Sequence, residues 1–199
     1  MKKDKILKEI QDYTYHLFEE DVTGHDFHHM RRVAGMAKHI SKNEAADPFI
    51  AEAAAWLHDI GDRKLFSRPE ESLEKLHDFL QSLHPDSTTI ENIEAAFKDT
   101  SYHKGEIPKT KEGMIVQDAD RLDAIGAVGI ARTFAYGGAN EQPIHGNGDR
   151  ATSIQHFYDK LLHLQDTLHT GTAKEIALER HQFLLTFLKQ FHREWQASE

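Results

Sequence analysis

Three short stretches of this 199-residue chain set imidazole beside carboxylate where helical periodicity asks for neither. The first is His25-Asp26-Phe27-His28-His29, running on through Arg31 and Arg32 to Val33; the second is Leu57-His58-Asp59-Ile60-Gly61-Asp62; the third is Asp118-Ala119-Asp120-Arg121-Leu122-Asp123. The pair His58-Asp59 follows an apolar run from Ala53 to Leu57 and so stands at the edge of buried surface, where an unpaired charge is costly. A divalent cation removes that cost. His58 and Asp59 can converge on one ion if two other helices bring a His and a carboxylate across from them. Two imidazoles with two carboxylates make a mixed site suited to Mn²⁺, Fe²⁺, Zn²⁺, Ni²⁺ or Co²⁺, with room for water and a phosphate oxygen. A bare His-Asp dipeptide carries no such signal, since His25-Asp26 is one as well.

The elements that must position these residues read as helices. Ile6, Ile10, Tyr13 and Leu17 form one stripe over residues 3–20, with Gly24 as the expected end. Asp26 is a candidate N-cap for a second helix that turns Met30, Val33, Ala37 and Ile40 inward. Asp47-Pro48 opens a third with Ile50, Ala53, Ala54 and Leu57, and Gly61 is placed to terminate it. Pro69 begins a helix carrying Leu73, Leu76 and Leu80, and Thr88 with Glu91 reads as a capping box ahead of Ile90, Ile93 and Phe97. Two more helices fall within residues 110–136. The glycine-rich stretch 137–149 is expected to be a mobile surface loop and a candidate lid. Residues 151–169 and 172–196 read as a helical hairpin turned at Gly171, with Leu161, Leu164 and Leu168 on one arm and Ile176, Phe183, Leu184, Phe187 and Phe191 on the other. No period-two run is long enough for a strand. The expected class is all-α, one domain over residues 1–199, with the motifs in a core of about 20–136 and the hairpin at about 151–196.

Composition narrows the function. Against 33 Asp and Glu stand 24 Lys and Arg, a formal charge of −9, which excludes a body-wide grip on duplex nucleic acid, so an anionic ligand must meet a local positive site. With no cysteine there are no disulfides, no thiolate catalysis and no Cys-based metal site, while the 15 histidines keep His/carboxylate metal chemistry open. The charged start and the absence of a long apolar run predict a cytoplasmic address and no membrane span. The string from Gly146 to Ala151 satisfies a loose dinucleotide fingerprint, but no strand precedes it, and it is read as a decoy.

The pattern formed by His29-x-x-Arg32-Val33, Leu57-His58-Asp59-Ile60-Gly61 and Ala119-Asp120-Arg121-Leu122 resembles the HD-domain metal-dependent phosphohydrolases over residues 20–136. The strings SYHKGE at 101–106 and VQDADRLDAIGAVGIART at 116–133 look like one subgroup, the small bacterial YpgQ and YedJ type. The resemblance implies His29, His58, Asp59 and Asp120 as ligands of a divalent ion, Mn²⁺ foremost, with Ni²⁺, Co²⁺, Fe²⁺, Zn²⁺ or Mg²⁺ as alternatives. On the helix bearing the last ligand, Asp123 shares the face of Asp120 and Asp118 points away, which favours Asp120 over Asp118. Asp62, three positions past Asp59, matches the acidic residue that in many such enzymes orients water or moves its proton.

His103 and Lys104, with Arg63, Lys64, Lys109 and Arg132, are the candidates for the oxygens of a polyphosphate, His103 being counted with Asp62 as catalytic. The subgroup implies hydrolysis of nucleoside triphosphates to monophosphate and pyrophosphate. A 5′-nucleotidase, a cyclic or alarmone nucleotide phosphodiesterase, and a non-catalytic metal-bound nucleotide sensor stay open beside it, with a homodimer as the assembly expected of such helical domains. Arg32 is expected in a structural ion pair, and His25 and His28 as caps or supports of the ligands.

Overall fold

The computed structural model describes residues 2–21, 24–83, 85–98, 100, 107–146 and 151–196, and every regular element among them is helical. The order is α1 (Lys3–Phe18), α2 (Phe27–Asn43), α3 (Pro48–Leu57), α4 (Pro69–Ser82), α5 (Ser87–Phe97), α6 (Lys111–Asp123), α7 (Gly126–Ala139), α8 (Ser153–Asp159), a 3-10 helix (Leu161–Thr167) and α9 (Gly171–Trp195). Helix α3 is the axle. Every residue from Phe49 to Leu57 is buried, and α1, α2, α5 and α6 pack around it. Its alanines, Ala51, Ala53, Ala54 and Ala55, have no exposed surface, and their small side chains let α2 and α6 approach closely enough for side chains from all three to meet at one end.

The helix starts next to the site are set by carboxylate caps. Asp26 accepts from the His29 amide at 2.7 Å, so the first turn of α2 carries His29 in register; Asp47 accepts from Phe49 and Ile50 while Pro48 takes the position where no amide is needed. The cap of α5 differs from expectation. Asp86, not Thr88, accepts from the Thr89 amide at 2.9 Å, and Thr88 lies inside the helix; an ionised carboxylate holds the positive helix start better than a hydroxyl.

Other expectations are corrected by packing. On α1 the buried line is Ile6, Ile10, Thr14 and Phe18, whereas Leu17 is exposed, because Thr14 satisfies its hydroxyl on the Trp56 carbonyl and Tyr13 stacks sideways on Phe79. Leu73 and Phe183 are likewise exposed. Gly24 and Gly61 lie beyond the ends of α1 and α3, in the connecting turns. Gly61 has φ +84°, and a Cβ there would stand 2.8 Å from Leu73 Cγ, so only glycine fits this turn just past Asp59. Helix α7 runs to Ala139, which makes the first residues of the expected loop 137–149 helical; residues 147–150 lie outside the described ones. The first arm of the hairpin is broken at Lys160 (φ −138°, ψ −59°) into α8 and the 3-10 helix, though Leu161, Leu164 and Leu168 are buried. Asp118 explains the break's far end, accepting from the amides of His169 and Thr170 at 2.9 and 2.8 Å and from the Thr170 hydroxyl at 2.7 Å. Thr170, held there, caps α9.

Candidate metal centre

Three helices meet at the site. His29 comes from the first turn of α2, His58 is the residue that caps the C-terminus of α3 with Asp59 next to it, and Asp120 comes from the last turn of α6. His29 Nε2 lies 3.6 Å from Asp59 Oδ2 and 3.5 Å from Asp120 Oδ1. His58 Nε2 lies 3.3 Å from Asp59 Oδ1 and 3.8 Å from Asp120 Oδ1. Both Nε2 atoms are buried without a hydrogen-bond partner. The opposite ring nitrogens are held: His29 Nδ1 is 2.8 Å from Asp123 Oδ2, and His58 Nδ1 is 2.8 Å from the Ala55 carbonyl. A carbonyl only accepts, so His58 Nδ1 carries a proton, and Nε2 is the atom that faces the two carboxylates and would present its lone pair to a cation. Two such lone pairs and carboxylate oxygens at these separations fit one divalent cation, and ligand atoms of His29, His58 and Asp120 all lie within 4.8 Å of one another.

His25 enters the same cluster. Its Nδ1 is 2.8 Å from Asp59 Oδ2, and His25, His29 and Asp59 form a second group of converging ligand atoms. The residue expected as a support thus hydrogen-bonds Asp59 and itself contributes an atom to a group that could hold an ion.

The charges account for the protonation. Burial pushes the His58 imidazole down, but the carboxylates of Asp59 and Asp120 outweigh it and raise its pKa to about 9. Burial pushes Asp59 up, yet the charge of His58, the hydrogen bond from His25 and the nearby ring of His29 keep it well below the usual carboxylate range. Against the same burial, Asp120 is lowered by His58 and His29 to about 2. Without a cation the centre therefore holds a proton on imidazole between two carboxylates, the charge that an ion would replace.

Asp123 is the residue that sequence reading missed. Besides His29 it binds Arg32 in a fork, with Nε at 2.7 Å and Nη2 at 3.0 Å, and Arg132 Nη1 at 2.9 Å. Burial opposes ionisation, but His29 and the two guanidiniums hold its carboxyl far below the ordinary value. Its place on the Asp120 face was legible; its bond to His29 was not. Arg32 is in the ion pair expected of it. Asp118 points to the chain before α9, which leaves Asp120 alone of the two at the centre.

The remaining predicted residues scatter. Asp62 sits in the turn after Asp59, its amide bonded to the Asp59 carbonyl at 3.1 Å and its Oδ1 accepting from the Lys64 amide at 2.8 Å. Arg63 is exposed beside Glu70. Lys64 lies within electrostatic reach of Lys160, which burial pushes down and Asp120 pulls up, so Lys160 on the break after α8 joins the basic surroundings of the centre unforeseen. Arg132 is engaged with Asp123. Lys109 precedes the N-terminus of α6, whereas Asp120 lies in its last turn, and Lys109 is exposed. His103 and Lys104 lie outside the described residues.

Fold and centre together define a class, the all-helical proteins that gather a His/Asp cluster between the helices of one bundle. The HD domain family model matches residues 26–125, and the chain belongs to that family. Over 199 residues it is 39% identical to the uncharacterized protein YpgQ of Bacillus subtilis (strain 168), covering 98% of this chain and 96% of that one. The crystal structure of Bacillus subtilis YpgQ in complex with ADP matches with a TM-score of 0.86 at 36% identity, over 98% of this chain and 97% of that one. An HD-superfamily hydrolase from Bacillus thuringiensis matches with a TM-score of 0.82 at 38% identity, over 99% of this chain and all of the other. The protein is an HD-superfamily hydrolase. No helix among the described residues is long and apolar enough to cross a membrane.

Proposed function

We propose that the protein is a metal-dependent nucleotide phosphohydrolase that converts nucleoside triphosphates to monophosphates and pyrophosphate. The observation that carries the metal-dependent reading is the pair of buried, unpartnered Nε2 atoms of His29 and His58 facing Asp59 and Asp120. In this reading those four residues hold the ion, with Mn²⁺ foremost. A bound divalent ion supplies positive charge for the phosphoryl oxygens and acidifies water near neutral pH. The chain supplies the rest. Asp59 and Asp120, held ionised, and His25, which braces Asp59, fix the orientation of the cluster. Asp62, one turn past Asp59, accepts the proton of the attacking water, while Lys64, Arg63 and Arg132 offer cationic groups to the phosphates. Nucleotide as substrate class is supported by the ADP complex of YpgQ, and the α–β bond by the likeness of residues 101–106 and 116–133 to that subgroup.

The test is the product spectrum of each nucleoside triphosphate with Mn²⁺ for the wild type, Asp59→Ala and Asp62→Ala. Monophosphate with pyrophosphate, absent in Asp59→Ala and strongly slowed in Asp62→Ala at unchanged metal content, is the expected result. Orthophosphate as the sole phosphate product, or activity that survives Asp59→Ala, contradicts the proposal.

A further inference from the structure

Beside Asp123, with none of the four residues of the centre in its wall, lies a cavity of about 360 Å³. Its charged wall residues are Arg32, Asp123 and Arg180, and Met36, Ile125 and Val128 give it an apolar lining. The carboxylate is already engaged: the two oxygens of Asp123 accept from His29 Nδ1, Arg32 Nε, Arg32 Nη2 and Arg132 Nη1. Arg180 enters from α9 and donates through Nη1 to the Leu122 carbonyl at 2.6 Å. Its stem lies against Gly126, where φ is +78° and a Cβ would come within 3.1 Å of Arg180 Cγ, so the start of α7 is shaped to let this side chain in. Asp26 and Glu179 attract Arg32 and Arg180 through space, but neither lines the cavity. At the wall itself two guanidiniums therefore face a single carboxylate whose oxygens are taken.

A guanidinium offers several donors in a plane, and two of them across a cavity of small-molecule size, against an apolar wall that strengthens electrostatics, match a tetrahedral oxyanion. We propose that this cavity is a phosphate-binding site distinct from the metal centre, taking inorganic phosphate or the phosphate group of a small ester, held between Arg32 and Arg180 with any organic body on the Ile125–Val128 wall. The site shares Arg32 and Asp123 with the support of His29, but none of His29, His58, Asp59 and Asp120 lines it, so phosphate binding here does not require the hydrolytic reading.

Methyl-labelled, Mg²⁺-loaded full-length protein is titrated by NMR with inorganic phosphate and, separately, with phenylphosphonate, a non-hydrolysable stand-in for an ester. Saturable shifts of the Ile125 and Val128 methyls are expected with both probes. Tighter binding of phenylphosphonate points to an ester as the occupant, tighter binding of phosphate to the free ion. Arg180→Gln is expected to weaken either by at least about tenfold. Val128→Trp, introduced at an exposed position to fill the cavity, is expected to abolish the Ile125 response while circular dichroism reports an intact fold. Shifts confined to Ile60 beside Asp59, or shifts at Ile125 unchanged by both variants, overturn the proposal.

Discussion

Loading the centre with a divalent ion should expel a proton from His58. A metal ligand must present a neutral imidazole, whereas the pull of Asp59 and Asp120 raises the His58 pKa from 6.5 to about 9 in the absence of a cation. At pH 7 only about one ring in a hundred is then neutral, a cost to ion binding of about 3 kcal/mol. The apparent dissociation constant for Mn²⁺ is accordingly expected to fall about tenfold per pH unit, or about a hundredfold between pH 6 and pH 8, levelling off above pH 9. Isothermal titration calorimetry in buffers of different ionisation enthalpy counts the released proton directly, and the expected count is about one per ion. A dissociation constant that stays flat between pH 6 and pH 8, with no proton released, would refute the reasoning, for it would mean that the carboxylates do not hold the ring charged. Stability of the metal-free protein follows with a definite sign. A folded pKa raised above the unfolded value stabilises fully below pH 6.5 and ceases to as the pH rises through about 9, so thermal unfolding should move to lower temperature between those limits, by up to about 3 kcal/mol of stability. The lowered values of Asp59 and Asp120 express the same attractions from the other side and add nothing further to that figure.

Three substitutions separate the supporting roles. Asp123→Asn removes the charge that holds His29 Nδ1, Arg32 and Arg132, and should weaken Mn²⁺ binding by about 10- to 100-fold, read by calorimetry; unaltered affinity would show that Asp123 does not orient the ring. Asp118→Ala strips the acceptor from the amides of His169 and Thr170 and should cost about 1–3 kcal/mol per orphaned group in denaturant unfolding, while metal content by mass spectrometry stays at the wild-type level; loss of the metal would move Asp118 into the centre. Gly61→Ala imposes a side chain at φ +84° and 2.8 Å from Leu73, and a destabilisation of about 1–3 kcal/mol is expected in thermal melts, with no change counting against the strain at this turn.

The chemistry of the site was legible where it depended on residue type and local spacing. His58 and Asp59 are sequence neighbours at the edge of an apolar run, and the caps Asp26 and Asp47 act over three residues or fewer, so periodicity and chain proximity reveal them. The expectation that His29 and Asp120 are ligands rests on the likeness of the motifs to a family, because nothing local says that residues so far apart in the chain will meet. Local rules also failed where two of them competed: Asp86 displaced Thr88 as a cap, and Thr14 took the buried line of α1 from Leu17 because its hydroxyl found the Trp56 carbonyl.

By itself, then, the sequence determined that the chain is helical, acidic and free of thiol chemistry, and which imidazoles and carboxylates were available to a cation. Tertiary structure alone decided how they are used. It turned Asp120 inward and Asp118 towards the start of α9, braced His29 with Asp123 and Asp59 with His25, and brought Lys160 from beyond the motifs to the edge of the site. The reason is physical: a helix fixes only which side chains share a face, whereas the distance between two buried charges, and hence their protonation and their power to hold an ion, is set by how α2, α3 and α6 pack against one another.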